Sequence, residues 1–191
     1  PKDSVAVHCV YDNEEVGSGT KQGAESTFLK DVLHRINGAL GKTPEDYYQA
    51  VAGSFLVSCD NAHAVHPNHG EKTDAVNCSW MNKGIVIKES ANQKYTTDAF
   101  SRAVFTNVCN EAGVPVQVFA NRSDILGGST LGNLSNTQVS VHAVDIGLPQ
   151  LAMHSCYETA GVKDVEYAIS ALTKFYQTTL QIEGAERVCF E

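Results

Sequence analysis

Five short apolar runs, each broken off by glycine or by polar and acidic residues, limit what this chain can fold into. They cover residues 5–10, 55–59, 84–88, 114–119 and 139–147. Each has strand length and is rich in β-branched or aromatic side chains. Between them lie stretches with helical spacing. One carries Phe28, Leu29, Val32, Leu33 and Ile36; another carries Phe100, Val104, Val108 and Cys109; the last runs from about 163 to 180 with Val165, Ala168, Ile169, Leu172, Tyr176 and Leu180 as its apolar stripe. Strands alternating with helices define an α/β fold with a mixed, mostly parallel sheet covered by helices on both faces. A length of 191 residues suits one domain with a substantial core.

Local signals place the boundaries. Ser26 is a plausible cap for the first helix and Asn37-Gly38 its end. Thr43-Pro44-Glu45-Asp46 combines a cap, proline at the first helical position and acids in the first turn, and that helix stops near Gly53. Thr96 or Thr97 caps the long middle helix and Gly113 closes it. Pro115 favours a strand start or an edge. A loop at 121–130 leads into a short helix.

Composition excludes more than it assigns. Net charge is −8 and the few Lys and Arg are scattered, which argues against a nucleic-acid or anionic-membrane surface. No apolar run approaches the ~20 residues of a membrane span. There is no signal peptide, and a start at Pro1 without Met fits a processed or trimmed product of something longer. The six cysteines form no Cys-x-x-Cys pair and read as reduced thiols of a cytoplasmic protein.

The positions of the acidic and basic residues carry the chemistry. Glu14 and Glu15 follow the first apolar run, Asp60 the second and Lys88 the third, while His154 lies in the loop after the fifth. Open α/β sheets bind ligands at the carboxyl ends of their strands. Glu15, Asp60 and His154 make a mixed oxygen and nitrogen set suited to zinc, or to manganese or cobalt if carboxylates dominate. Glu14 then stays free as a general base toward a metal-activated water. The same residues also admit structural readings. Glu14-Glu15 can be a solvated turn, Asp60 a turn cap, Lys88 a strand-end lysine, and His63, His66 and His154 hydrogen-bonded loop residues.

Specific strings decide between these readings. Asp12-Asn13-Glu14-Glu15-Val16-Gly17-Ser18, Asp60-Asn61-Ala62-His63-Ala64-Val65-His66-Pro67-Asn68 and Lys83-Gly84-Ile85-Val86-Ile87-Lys88 occur in that order. Asn121-Arg122-Ser123-Asp124, Gly128-Ser129-Thr130 and Leu151-Ala152-Met153-His154-Ser155 follow. From about residue 7 to 180 the chain resembles the aspartyl aminopeptidase and vacuolar aminopeptidase I family of di-zinc metallopeptidases. The resemblance implies Glu14 as general base, Glu15 and His154 on one zinc, and Asp60 on the other. It implies Lys88 in a pocket that selects an acidic N-terminal side chain, with His63, His66, Gly128, Ser129 and Met153 in the substrate cleft. Implied partners are peptides with a free N-terminus and, in full-length form, further copies of the chain.

The chain also departs from that family. An earlier histidine ligand, the bridging aspartate and the assembly domain all lie upstream of the Glu-Glu motif in family members, and nothing before Glu14 matches them. Neither Asp3 nor His8 is promoted to a ligand. Residues 1–191 therefore read as the C-terminal part of a catalytic domain with an incomplete metal site and newly exposed apolar surface. The alternative readings are a catalytically inactive fragment or assembly module, and a different di-metal hydrolase such as a carboxypeptidase or deacylase.

Overall fold

The computed structural model describes residues 3–191. In chain order its elements are α1 (Phe28–Ala39), α2 (Pro44–Ala52), β1 (Phe55–Cys59), β2 (Ala62–His63), a single 3-10 turn (Gly70–Lys72), β3 (Ile85–Glu89), α3 (Ala99–Glu111), β4 (Val116–Ala120), α4 (Leu131–Ser135), β5 (His142–Gly147), β6 (Pro149–Leu151), β7 (Thr159–Ala160), α5 (Val162–Gln177), β8 (Leu180–Glu183) and β9 (Arg187–Phe190). The expected mixed sheet is present, with strand order β1-β5-β3-β4. β1 and β5 are parallel, as are β3 and β4, and the two pairs meet through an antiparallel β5–β3 contact.

Alternation along the strands sends side chains to two faces. Ile85, Ile87, Val144 and Ile146 point to one, where Phe105 and Cys109 of α3 and Ala171 of α5 complete a buried core. Asp164, wholly buried in the first turn of α5, accepts the Gly84 N–H at 3.0 Å and so ties that helix to the start of β3. On the other face α4 lies over β1 and β5, where the Gly132 N–H donates to Ser58 Oγ at 2.9 Å. Val86 and Phe119 pack there with Tyr95 and Ala62. Among the described residues no helix is long and apolar enough to cross a membrane.

Several boundaries follow local chemistry. The second helix carries the full capping box, with Asp46 N–H donating to Thr43 Oγ1 and Thr43 N–H donating back to the Asp46 carboxylate. All six cysteines are free thiols, with Cys109 buried and Cys59 and Cys156 exposed.

Other expectations are corrected. Residues 5–10 form no strand, and Val5 and Val10 are exposed. A strand needs a neighbour to take its backbone hydrogen bonds, and no described strand lies beside this segment; the Val7 carbonyl instead accepts the Tyr176 hydroxyl at 3.2 Å. The first helix runs past Asn37-Gly38 to Ala39, and the chain turns at Gly41 with φ of 69°. Its capping position is Thr27, with Ser26 Oγ accepting the Phe28 N–H. The middle helix is capped by Asp98, because Thr96 and Thr97 both bond to Asp145 instead. The fifth strand begins at His142 rather than Val139. The last helix stops at Gln177, and Leu180 belongs to the β8–β9 hairpin. It meets the core through Tyr167, Ala168, Ala171 and Leu172, while Val165 and Ile169 of the expected stripe are exposed.

Candidate active site

The loop after β1, the loop after β6 and the Glu14-Glu15 turn meet at one end of the sheet. β1 and β5 run side by side, and their ladder continues into the β2–β6 pair: Asp60 N–H donates to the Ile146 carbonyl, Ala62 N–H to Leu148 and Ala64 N–H to Gln150. Gly147 is required at the crossing, since a Cβ there would overlap the backbone of Asp60 and Asn61. Asp60 is thereby held beside the strand that leads to His154.

That strand returns through the β6–β7 hairpin, whose paired base is Gln150 with Ala160 and Leu151 with Thr159. Its tip has left-handed backbone at Ala152 (φ 57°) and His154 (φ 66°), a conformation costly for side chains with a Cβ. The His154 N–H is fixed by Glu158 Oε1 at 2.6 Å. Asn13, also left-handed at φ 65°, turns the chain into Glu14 and Glu15. Glu15 Oε2 lies 3.1 Å from His154 Nε2, joining the two loops.

Lys88 lies in β3, one residue before its end, 3% exposed, and reaches the site from the sheet. A buried ammonium needs partners. Lys88 Nζ donates to Asp60 Oδ2 and to the Asn61 carbonyl, both at 3.3 Å, and stands 5.1 Å from the centre of the Tyr95 ring. Tyr95, whose hydroxyl accepts from Asn121 Nδ2 at 3.0 Å, lies in a polar stretch with no sequence signal for this contact.

The charges act on one another. The half-buried Glu14 carboxyl is pushed above its ordinary range, first by burial and then by the negative charges of Asp60 and Glu15; His154 and Lys88 oppose this. Burial lowers His63, helped by the positive charges of His154 and Lys88 and opposed by Asp60. Glu14, Glu15, Asp60, His63, Lys88 and His154 thus form one electrostatic neighbourhood.

The remaining expected residues take no part in the ion pairs above. His66 accepts the Asn68 N–H and stacks near His69, with ring centres 5.1 Å apart. Gly128 and Ser129 are exposed, and Met153 is half-buried at the hairpin tip. Neither Ser129 nor Met153 makes a side-chain hydrogen bond to the carboxylates among the described residues.

The donor set fits zinc in kind, since carboxylate oxygen and imidazole nitrogen are its ordinary ligands and one of each meets at Glu15 and His154. It fits only in part in number: among the described residues no three His, Cys, Asp or Glu side chains form a group able to hold a metal ion. Asp60 is engaged by Lys88 rather than by the Glu15–His154 pair.

The fold is a mixed α/β sheet with acidic and imidazole side chains gathered where its loops converge. The family model for aminopeptidase I zinc metalloproteases (M18) matches residues 1–176, and the chain belongs to that family. A probable M18 family aminopeptidase 2 of Clostridium novyi is 52% identical over 166 residues, covering 87% of this chain and 38% of the relative. Aspartyl aminopeptidase 1 of Schizosaccharomyces pombe is 43% identical over 173 residues, covering 91% of this chain and 36% of the relative. This chain therefore spans less than two fifths of the length of either.

Among solved structures, the Ape4–Nbr1 complex aligns with a TM-score of 0.84 at 44% identity, covering 87% of this chain and 32% of that one. The S. cerevisiae mApe1 dodecamer aligns with a TM-score of 0.76 at 30% identity, covering 87% and 36%.

Proposed function

We propose that these residues form the C-terminal part of the catalytic domain of a zinc-dependent aminopeptidase that releases single acidic residues from peptide N-termini. The observation that carries this reading is Glu14: a half-buried carboxyl, raised by burial and by Asp60 and Glu15, beside the Glu15–His154 pair. Glu15 and His154 would hold one zinc and Asp60 a second, with manganese or cobalt as substitutes. Bound there, the metal would polarise the scissile carbonyl and acidify water. Glu14 would take the proton and return it to the leaving amine. His63, whose pKa burial lowers, would donate to or accept from a bound peptide. Lys88 would offer its ammonium to the carboxylate of an N-terminal Asp or Glu. The printed name of the S. pombe relative points the same way.

The mApe1 relative is a dodecamer, and we extend homo-oligomer formation to the full-length form of this chain. Free cysteines fit a cytoplasmic setting.

The test measures zinc content and hydrolysis of Asp-, Glu-, Ala- and Leu-amides before and after chelation. Chelator-sensitive turnover with Asp and Glu preferred is expected. Turnover insensitive to chelation, or confined to substrates without a free amino terminus, overturns the assignment.

A further inference from the structure

The two edges of the four-stranded sheet are finished differently. At the β4 edge the Ala120 N–H donates to the Asn77 carbonyl at 3.1 Å, and the Gln117 side chain holds both backbone groups of Trp80, so residues 77–80 cover it. The β1 edge is bare. Its ladder to β5 uses alternate residues and ends with the Asp60 N–H on the Ile146 carbonyl, so Phe55, Val57 and Cys59 turn their N–H and C=O groups outward. Among the described residues none of these groups has a hydrogen-bond partner. Open edges ordinarily carry a charge, a proline or a bulge that discourages pairing. Phe55-Leu56-Val57-Ser58-Cys59 carries no charge and no proline, and its first three side chains are only half-buried.

A second apolar stretch lies along the same flank. Residues 5–10 form no strand, and Val5 and Val10 are exposed. The Val7 carbonyl accepts from Tyr176 of α5, whose neighbour Phe175 stands 6.2 Å from Phe55, ring centre to ring centre. Tyr11 accepts from Ser135 of α4, the helix that meets Ser58 through the Gly132 N–H. The segment therefore passes from the α5 face of the sheet to the α4 face on the β1 side, and no backbone bond joins it to β1. A row of outward backbone donors and acceptors is satisfied by another strand.

We infer that the outer edge of β1 is a docking site for one extended strand, supplied by the part of the full-length protein that lies outside these 191 residues. This rests on the reading of the chain as part of a larger catalytic domain. The curated relatives are matched over less than two fifths of their length, which leaves ample chain to provide the strand. Flanked by α4 and α5, the strand would be apolar on both faces, as strands covered on both sides are. A second copy suits the edge less well, since each copy carries a net charge of −8 and residues 7–11 flank the approach.

The experiment measures amide hydrogen exchange at single-residue resolution in the 191-residue chain and in the full-length protein. Leu56 and Ser58, which face β5, serve as internal controls. Val57 and Cys59 should exchange freely in the short chain and at least roughly 100-fold more slowly in the full-length protein. Val57→Pro removes only an outward N–H, so it should lower the melting temperature of the full-length protein more than that of the short chain. If Val57 and Cys59 exchange equally in both proteins while other amides slow in the longer one, docking at this edge is overturned and the larger-domain reading stands. If no amide differs between the two, that reading falls and this inference with it. Protection in the short chain that rises with its concentration would make a second copy the occupant and overturn the proposal.

Discussion

His154 Nε2 lies 3.1 Å from Glu15 Oε2, and both side chains are open to solvent, at 66% and 70% exposure. An ion pair so exposed contributes about 0–1 kcal/mol to stability. His154 also holds a left-handed backbone conformation, whose cost so weak a pair does not offset. The proposed zinc-binding role supplies a reason for it. His154→Ala should therefore shift the melting temperature of the metal-free protein by no more than about 4 °C, while zinc uptake collapses. Calorimetric melting with a parallel zinc assay checks both. A large loss of stability would make the pair structural.

Glu14 touches neither His154 nor Lys88 through a hydrogen bond, which leaves its carboxylate free to exchange protons. Glu14→Gln keeps the shape and removes the basicity. In the active enzyme, kcat should fall by about 10²–10⁴, the usual contribution of a general base, with zinc content unchanged. Loss of zinc in this variant would make Glu14 a ligand. Unaltered kcat would remove it from the chemistry.

Lys88 makes three contacts, with Asp60, the Asn61 carbonyl and the Tyr95 ring, and the proposed function adds a substrate carboxylate to them. Lys88→Met retains the buried stem and deletes the charge. A charge-assisted bond to a substrate carboxylate is worth about 1.5–3 kcal/mol. The ratio of kcat/KM for Asp-amide over Ala-amide should therefore drop roughly 10–100-fold. An equal loss on both substrates would mean that Lys88 supports Asp60 without reading the side chain.

What could be read from the sequence depended on how far each interaction reaches along the chain. The Thr43–Asp46 capping box closes within four residues and stands as expected. The runs around β1 and β3 have neighbours on the sheet, which half-bury the first and bury the second, so their apolar character was sufficient. Residues 5–10 have the same character but no adjacent strand, and strand pairing is not a property of one segment. β2, β6 and β7 are two or three residues long, too short to show a period, and exist only through long-range pairing. Asp98 displaced Thr96 and Thr97 as a cap because Asp145, far along the chain, takes both threonines. Glu15 meets His154 and Asp60 meets Lys88, although Glu14 and Glu15 follow no described strand and Lys88 lies inside one. Tyr95, Asn61 and Gln150 gave no signal, since their contacts are with partners distant in sequence.

The Tyr11 phenol offers a test of how the Glu-Glu turn docks on the domain. Tyr11 packs edge-on against Phe28, ring centres 6.4 Å apart, and its oxygen accepts from Ser135 Oγ at 3.1 Å. Burial pushes its pKa up to about 12, with the Ser135 hydrogen bond opposing. A pKa raised in the folded state means that the folded protein holds this proton more tightly than the unfolded chain does. The associated stability is fully present below the ordinary tyrosine value, about 10. It is then lost as pH rises through about 12. Denaturant unfolding of the native protein and of Tyr11→Phe, compared from neutral pH upward, should show the native protein losing stability more steeply once pH passes about 10. The phenolate absorbance difference between the two proteins should titrate near 12. A difference spectrum that titrates at the ordinary tyrosine value would place Tyr11 in solvent and detach residues 11–15 from α1 and α4.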